Sequence, residues 1–274
     1  MGELLKIEWL KIRRYTAFIV MSLFFIVAVI ATNYIVFSVN NNMANNMGNA
    51  ISMMSFSPYS FENTWQTTSY ATGFILLLPA LLLVMLVTNE YTFKTHRQNI
   101  IDGLSRQQFI SVKIMLALVF AVVSTLLVFV TALCFGWASG TNFSLHGIQF
   151  VGFFFLKAIT YNLIAILIAV LIKRTGFATG VFFIYLGGEN FIAKMLDLWS
   201  IKLKQDNGTD YGSLGDYLPM NAADGLLSFP KNPVTNMALN FMPTDYIWAI
   251  LPLALVYLLV FYTWARRKFI HADL

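Results

Sequence analysis

Apolar positions in this chain fall into runs separated by short polar breaks, and the runs are long. A hydrocarbon layer about 30 Å thick takes roughly 20 residues of helix to cross. Six stretches reach or approach that length: 17–39, 70–88 with Pro79 inside it, 109–135, 151–172, the shorter and glycine-rich 176–192, and 246–265. Neither two-residue alternation nor a soluble helix's narrow apolar stripe accounts for them. The pattern predicts an all-α membrane protein: a single transmembrane domain over 1–274, built as a six-helix transmembrane bundle. Between the runs lie an N-terminal segment (1–16), a polar connection (89–108) and two large outer segments (40–69 and 193–245). No internal repeat is visible, which argues against an inverted-repeat transporter.

Composition agrees with lipid as a second apolar solvent. Hydrophobic residues make up 58% of the chain and charged ones 11%, against about 45–50% and about 25% in soluble domains. The net charge of +5 comes from clusters at the ends of apolar runs, which sets topology rather than nucleic-acid binding. Lys6, Lys11, Arg13 and Arg14 precede the first run; Lys94, Arg97, Arg106 and Lys113 fall around the second-to-third connection. Lys173 and Arg174 sit between the fourth and fifth, and Arg266, Arg267 and Lys268 close the last. Segments 40–69 and 136–150 carry no Lys or Arg, and in 193–245 aspartates outweigh the lysines. Both termini are therefore expected in the cytoplasm, and the N-terminus is expected to be retained rather than cleaved, for no small-residue site closes the first run. The lone Cys134 has no disulfide or metal partner in the chain and fits a small apolar residue.

The connection from Asn89 to Arg106 is the most informative stretch. Gly103 can take the left-handed conformation that closes a helix. Ser105 with Gln108 three residues on makes a capping box that starts the third run. A short helix near 91–102 is predicted, too polar to insert; the pattern fits either a rigid knob for a partner or a solvated, topology-setting loop. Residues 3–16 fit an amphipathic helix lying in the interface, with Leu5, Trp9 and Ile12 on one face and Lys6, Arg13 and Arg14 opposite. Lys157, inside the fourth run near its outer end, snorkels outward in the plain reading and lines a pathway in the alternative; Glu189, at the outer end of the fifth, is a candidate to pair with it. No phosphate-binding loop or ABC signature occurs, the histidines lack zinc-site spacing, and no nucleophile elbow is present. The chain is therefore read as non-catalytic.

The stretch Thr88-Asn89-Glu90-Tyr91-Thr92-Phe93-Lys94-Thr95-His96-Arg97-Gln98-Asn99-Ile100-Ile101-Asp102-Gly103-Leu104-Ser105-Arg106 resembles permease subunits of type-2 ABC exporters. The basic N-terminal segment, the six runs and the long outer segment before the last one are similar too. The chain departs from the commoner pattern at Ile100 to Leu104, where many relatives carry a proline before the Ser-Arg pair. The resemblance implies that 89–108 holds a coupling helix that docks on a separate ATPase, with Glu90, Phe93, His96, Arg97, Asn99 and Asp102 on the docking surface. It implies an elbow helix over 1–16 with Trp9, Arg13 and Arg14, and two copies each of permease and ATPase in a bacterial inner membrane, with a homodimer favoured over a pairing with a homologous permease. ATP and magnesium would be bound by the ATPase and no cofactor by this chain. Substrate would be exported as the bundles rock between inward- and outward-open states. A mechanotransmitter that moves a periplasmic partner without transporting is the alternative, and an ion-coupled secondary transporter a more distant one.

Overall fold

A computed structural model describes residues 2–46, 57–230, 244 and 246–271, and among these the chain is helical with short irregular connections. Helix α1 (Gly2–Ile12) precedes α2 (Thr16–Asn46). Helix α3 (Phe61–Gly73) leads through a 3-10 turn at Phe74–Leu76 into α4 (Leu77–Thr92), and α5 (Thr95–Ile101) follows. The long helices α6 (Arg106–Ala138), α7 (Gln149–Ile172) and α8 (Thr175–Asn207) come next. A 3-10 turn at Leu214–Tyr217 and the single turn α9 (Asn221–Asp224) precede α10 (Ile247–Ile270). Five stretches are long and apolar enough to cross a membrane: Thr16–Asn42, Phe61–Thr92, Arg106–Ala138, Gln149–Ile172 and Ile247–Ile270. The chain is a multi-pass membrane protein.

Helix α7 is the axis of the bundle. Most of its residues are buried, whereas few of those of α2 and α10 are, as in helices facing lipid. Leu163, Ile164, Ala165 and Ile166 of α7 meet Leu83 and Val84 of α4 and Ala117 and Ala121 of α6 in the main core. Small residues let the backbones approach in the absence of a strong hydrophobic drive between helices in lipid. One such approach is at Gly136 of α6, where a Cβ would lie 2.7 Å from the ring of Phe61. Gly176, Gly180, Gly187 and Gly188 of the glycine-rich fifth run have open space within this chain where a side chain would be.

Several boundaries differ from the hydropathy pattern, each for a physical reason. Residues 61–69, expected in an outer loop, form α3, and Thr64, Thr67, Thr68, Ser69 and Thr72 are all buried. Their hydroxyls disguise a core helix: Thr64 Oγ1 donates to the carbonyl of Ala132 and Thr67 Oγ1 to that of Pro58. Within the second crossing, the regular helix breaks at Phe74–Leu76, where Pro79 cannot donate to the carbonyl four residues before it. The fifth run continues as helix far past residue 192, to Asn207, and ends at Gly208 with a φ of 68°. The expected helix near 91–102 is divided at Lys94, a non-glycine residue with a φ of 57°, so only Thr95–Ile101 forms a separate helix. The rest of the two outer segments, 47–56 together with 231–243 and residue 245, lies outside the described residues.

Packing at Gly136 is testable. Gly136→Ala is expected to destabilise the protein by about 1–3 kcal/mol through overpacking against Phe61. Gly152→Ala, at an open position of α7, is expected to be neutral or to stabilise by up to about 1 kcal/mol. Thermal unfolding of both variants in one detergent measures the difference.

Candidate functional site

Both ends of the described chain meet at one end of the bundle, here the terminal end. Arg106 donates to the carbonyl of Ile270 at 3.0 Å, and the rings of Phe109 and Phe269 stack with centroids 4.8 Å apart. Helix α5 projects there between two turns of defined geometry. Gly103, with a φ of 101°, reverses the chain after it. Ser105 then caps α6, its hydroxyl accepting from the Gln108 amide at 3.2 Å while its own amide donates to the Gln108 carboxamide at 3.0 Å.

Beneath α5 lies an ionic cluster shared by three helices. The ammonium of Lys113 (α6), 2% exposed, contacts Glu8 of α1 at 2.5 Å and Glu90 of α4 at 2.8 Å. Lys11 of α1 adds contacts at 2.9 Å to Glu8 and 3.5 Å to Glu90. Two cations and two anions thus alternate, the arrangement in which buried charges offset one another's desolvation. Burial opposes ionisation of Glu8, but Lys113 and Lys11 outweigh it and hold its carboxyl below the usual range. For Lys11, burial likewise opposes the charge, and Glu90 and Glu8 overcome it and raise its pKa. The cluster pins α1 across the bundle, and Asn89 extends the link: it donates to the Tyr15 hydroxyl at 2.8 Å and accepts from Thr175 of α8 at 3.3 Å.

The residues expected to form the docking surface divide into two groups. Phe93, 73% exposed, together with Arg97 and Asp102, faces outward, and Asn99 is half-buried on the wall of a cleft of about 480 Å³ shared with Leu4, Glu8 and Leu104. Ile101, which the sequence did not single out, is 82% exposed. Glu90 and His96 are buried instead: the carboxylate of Glu90 lies in the ionic cluster, and a ring nitrogen of His96 lies 3.0 Å from the Glu90 carbonyl. These two hold α5 in place rather than present a surface. On α1, Arg13 and Arg14 are exposed just past its end and Trp9 is 54% exposed, packing edge-on against Phe18. The face of α1 that meets the bundle is Leu4, Leu5, Glu8 and Ile12, not the stripe through Trp9.

A second polar cluster occupies the opposite end. Lys157 is buried and lies 3.3 Å from Asp224 of α9, to which Tyr161 also donates at 3.0 Å. Glu189 does not reach Lys157: its carboxylate accepts from the backbone amides of Met220 and Asn221, the latter at 2.9 Å. The lysine therefore does not snorkel. Both residues bind the segment around α9, which dips into the bundle and buries Met220, Ala222, Ala223 and Leu226. Among the described residues no group of His, Cys, Asp or Glu is arranged to hold a metal.

The terminal-end cluster makes two expectations. Lys113→Met leaves Glu8 and Glu90 with only the part-exposed Lys11 to neutralise them and is expected to cost about 3–5 kcal/mol, whereas Glu8→Gln/Lys113→Met together is expected to recover part of that loss. Thermal unfolding of the three proteins decides it, and an equal loss in single and double variants would sink the paired-charge account. Because the folded-state pKa of Glu8 is depressed, its contribution is present above the ordinary value of 4.5 and is lost as pH falls through the lowered one. Unfolding temperature in acid is therefore expected to drop more steeply for the unaltered protein than for Glu8→Gln.

Comparison with known proteins falls on the same region. A search among curated proteins finds no match. A family model described as ABC-2 family transporter protein matches residues 4–188, from α1 into α8, which takes in Glu8, Glu90, Lys113 and Lys157 but stops before Glu189 and Asp224. With a match over most of its length and apolar helices fit to cross a membrane, the chain belongs to the ABC-2 family of transporter proteins.

Proposed function

We propose that this chain is the permease subunit of an ATP-driven exporter, with α5 as the coupling helix on which a separate ABC ATPase docks. The observation that carries the reading is the contrast at α5. Phe93, in the turn just before this seven-residue helix, and Ile101, its last residue, are large apolar side chains left 73% and 82% exposed, while Glu90 and His96 at its base are buried. Exposed aromatic and aliphatic residues on a rigid support are the usual anchors of a protein interface, and a docking helix can transmit force only if its base does not yield. Arg97, Asn99 and Asp102 supply a polar rim around those anchors.

In this reading α1 is the elbow helix, both termini are cytoplasmic, and α8 supplies a sixth crossing through its apolar first half. Two permeases, as a homodimer, would sit on two ATPases in a bacterial inner membrane. ATP and magnesium belong to the ATPase, whose closure would draw the α5 helices together and rock the bundles between inward- and outward-open states.

Affinity purification of the full chain from its native membrane is expected to bring down a nucleotide-binding ATPase in equal amount. Phe93→Ala/Ile101→Ala is expected to weaken that association by at least about 2 kcal/mol, roughly thirtyfold. Arg97→Ala/Asn99→Ala is expected to weaken it less, and both variants should keep the parent unfolding temperature, because surface changes away from buried features cost little. A folded Phe93→Ala/Ile101→Ala variant that retains its ATPase with undiminished affinity would show that α5 does not dock.

A further inference from the structure

Beside α5, on the side away from α1, a pocket of about 580 Å³ opens between the end of α4 and the α7–α8 turn. Its wall carries Lys94, Arg97, Lys173 and Arg174. None of the four has an acidic partner among the described residues, and the side chain of Lys173 lies over the ring of Tyr91, 5.6 Å from its centre. Lys11 and Lys113, by contrast, are neutralised by Glu8 and Glu90. Two further features set the pocket apart. The Tyr91 hydroxyl on its wall is buried with no hydrogen-bond partner. Lys94 and Lys173 both adopt left-handed backbone, with φ of 57° and 59°, a conformation uncommon for residues other than glycine and asparagine. At each position glycine or asparagine would be easier to accommodate, yet a lysine is there, and both lysines line the same pocket.

We propose that this pocket binds a phosphate group, that of an anionic phospholipid headgroup at the membrane surface. The location favours lipid over solute. The pocket lies where α4 and α7 end, at the level at which a crossing helix passes into the headgroups, and Ile172 on its wall continues the apolar surface of α7. Basic pockets between membrane helices hold such headgroups by charge and by multiple hydrogen bonds. Arg174 and Arg97 can each offer a two-pronged set of donors, the lysines point charges, and Tyr91 a hydroxyl. The first turn of α8 follows Arg174 with no side chain capping it, so its amides add to the positive potential. A lipid there would tie the α5 support to the α7–α8 turn from outside the ionic cluster.

The full-length chain in neutral detergent, titrated with phosphatidylglycerol or phosphatidylcholine and followed by native mass spectrometry and unfolding temperature, tests this. Phosphatidylglycerol is expected to bind at least about tenfold more tightly and to raise the unfolding temperature. Lys173→Asn/Arg174→Gln, which keeps a residue tolerant of left-handed backbone, is expected to weaken that binding roughly thirtyfold. Lys94→Asn, on the opposite wall, should weaken it in the same direction. Arg13→Gln/Arg14→Gln removes as much charge elsewhere at the same end and is expected to leave most of the affinity. Competition by millimolar inorganic phosphate would support the pocket with soluble phosphate as its ligand. Equal binding of the two lipids, or equal losses in the pocket and control variants, would overturn the proposal.

Discussion

A lysine ammonium in an apolar bundle must be neutralised, and much of this structure follows from how Lys113 meets that requirement. Without partners its charge would cost several kcal/mol even if helix and lipid adjusted around it. The carboxylates that approach it come from α1 and α4, so a helix with no place inside the bundle is drawn onto it and the end of a crossing helix is held in register with α6. Lys11 then balances the second carboxylate. The attraction is local and strong because water is largely absent, and it orients α1 more sharply than the helix's scattered apolar residues could. What α5 rests on is thus an electrostatic solution rather than an apolar one.

This cluster was only half legible in the sequence. Glu90 stood out through its place after the second run, while Lys113 was grouped with loop cations by charge count. The signal that separates it is position: it lies inside the apolar run 109–135, one turn past its start, where a charge that merely sets topology has no reason to be. Glu8 was hidden because the stripe through Leu5, Trp9 and Ile12 passes it by, yet Leu4, Glu8 and Ile12 are spaced four apart on one face. An acid in the middle of a buried face calls for a base opposite it, and the sequence contains one.

The crossings were legible wherever the apolar run is long and unbroken, as in α2, α6, α7 and α10, and the turn chemistry of Gly103 and Ser105 was legible because it is local. What escaped was burial carried by polar residues. In helix α3 the hydroxyls of Thr64 and Thr67 donate to carbonyls of a neighbouring helix and turn, and no hydropathy scale counts that. Helix α8 escaped in the other direction. Its second half carries Lys194, Asp197, Lys202 and Lys204, which read as loop, while helix-forming residues and the stop at Gly208 keep it helical. The division at Lys94 left no trace, since nothing in a lysine announces left-handed backbone.

The two buried lysines stand at opposite ends, and a single helical path serves both. Lys157 lies 5.7 Å from the ring centre of Phe74, in the irregular turn that opens α4, and a Cβ on Gly73 would lie 3.1 Å from its ammonium. Glu90, in the last turn of the same helix, holds Lys113. Between them α4 runs 16 residues, about 24 Å at 1.5 Å per residue, packed along α7. A regular helix resists compression along its axis, so displacement of α5 that moves Glu90 also bears on the turn at Phe74. There the helix is irregular and the contact to Lys157 is a cation over a ring rather than an ion pair. Lys157 in turn holds Asp224, and with it the segment that dips into the bundle. Energetic coupling needs an element with two arrangements that both ends bias. The Phe74–Leu76 turn is the point along this path where the hydrogen-bond ladder is already interrupted, so it is where such a change costs least.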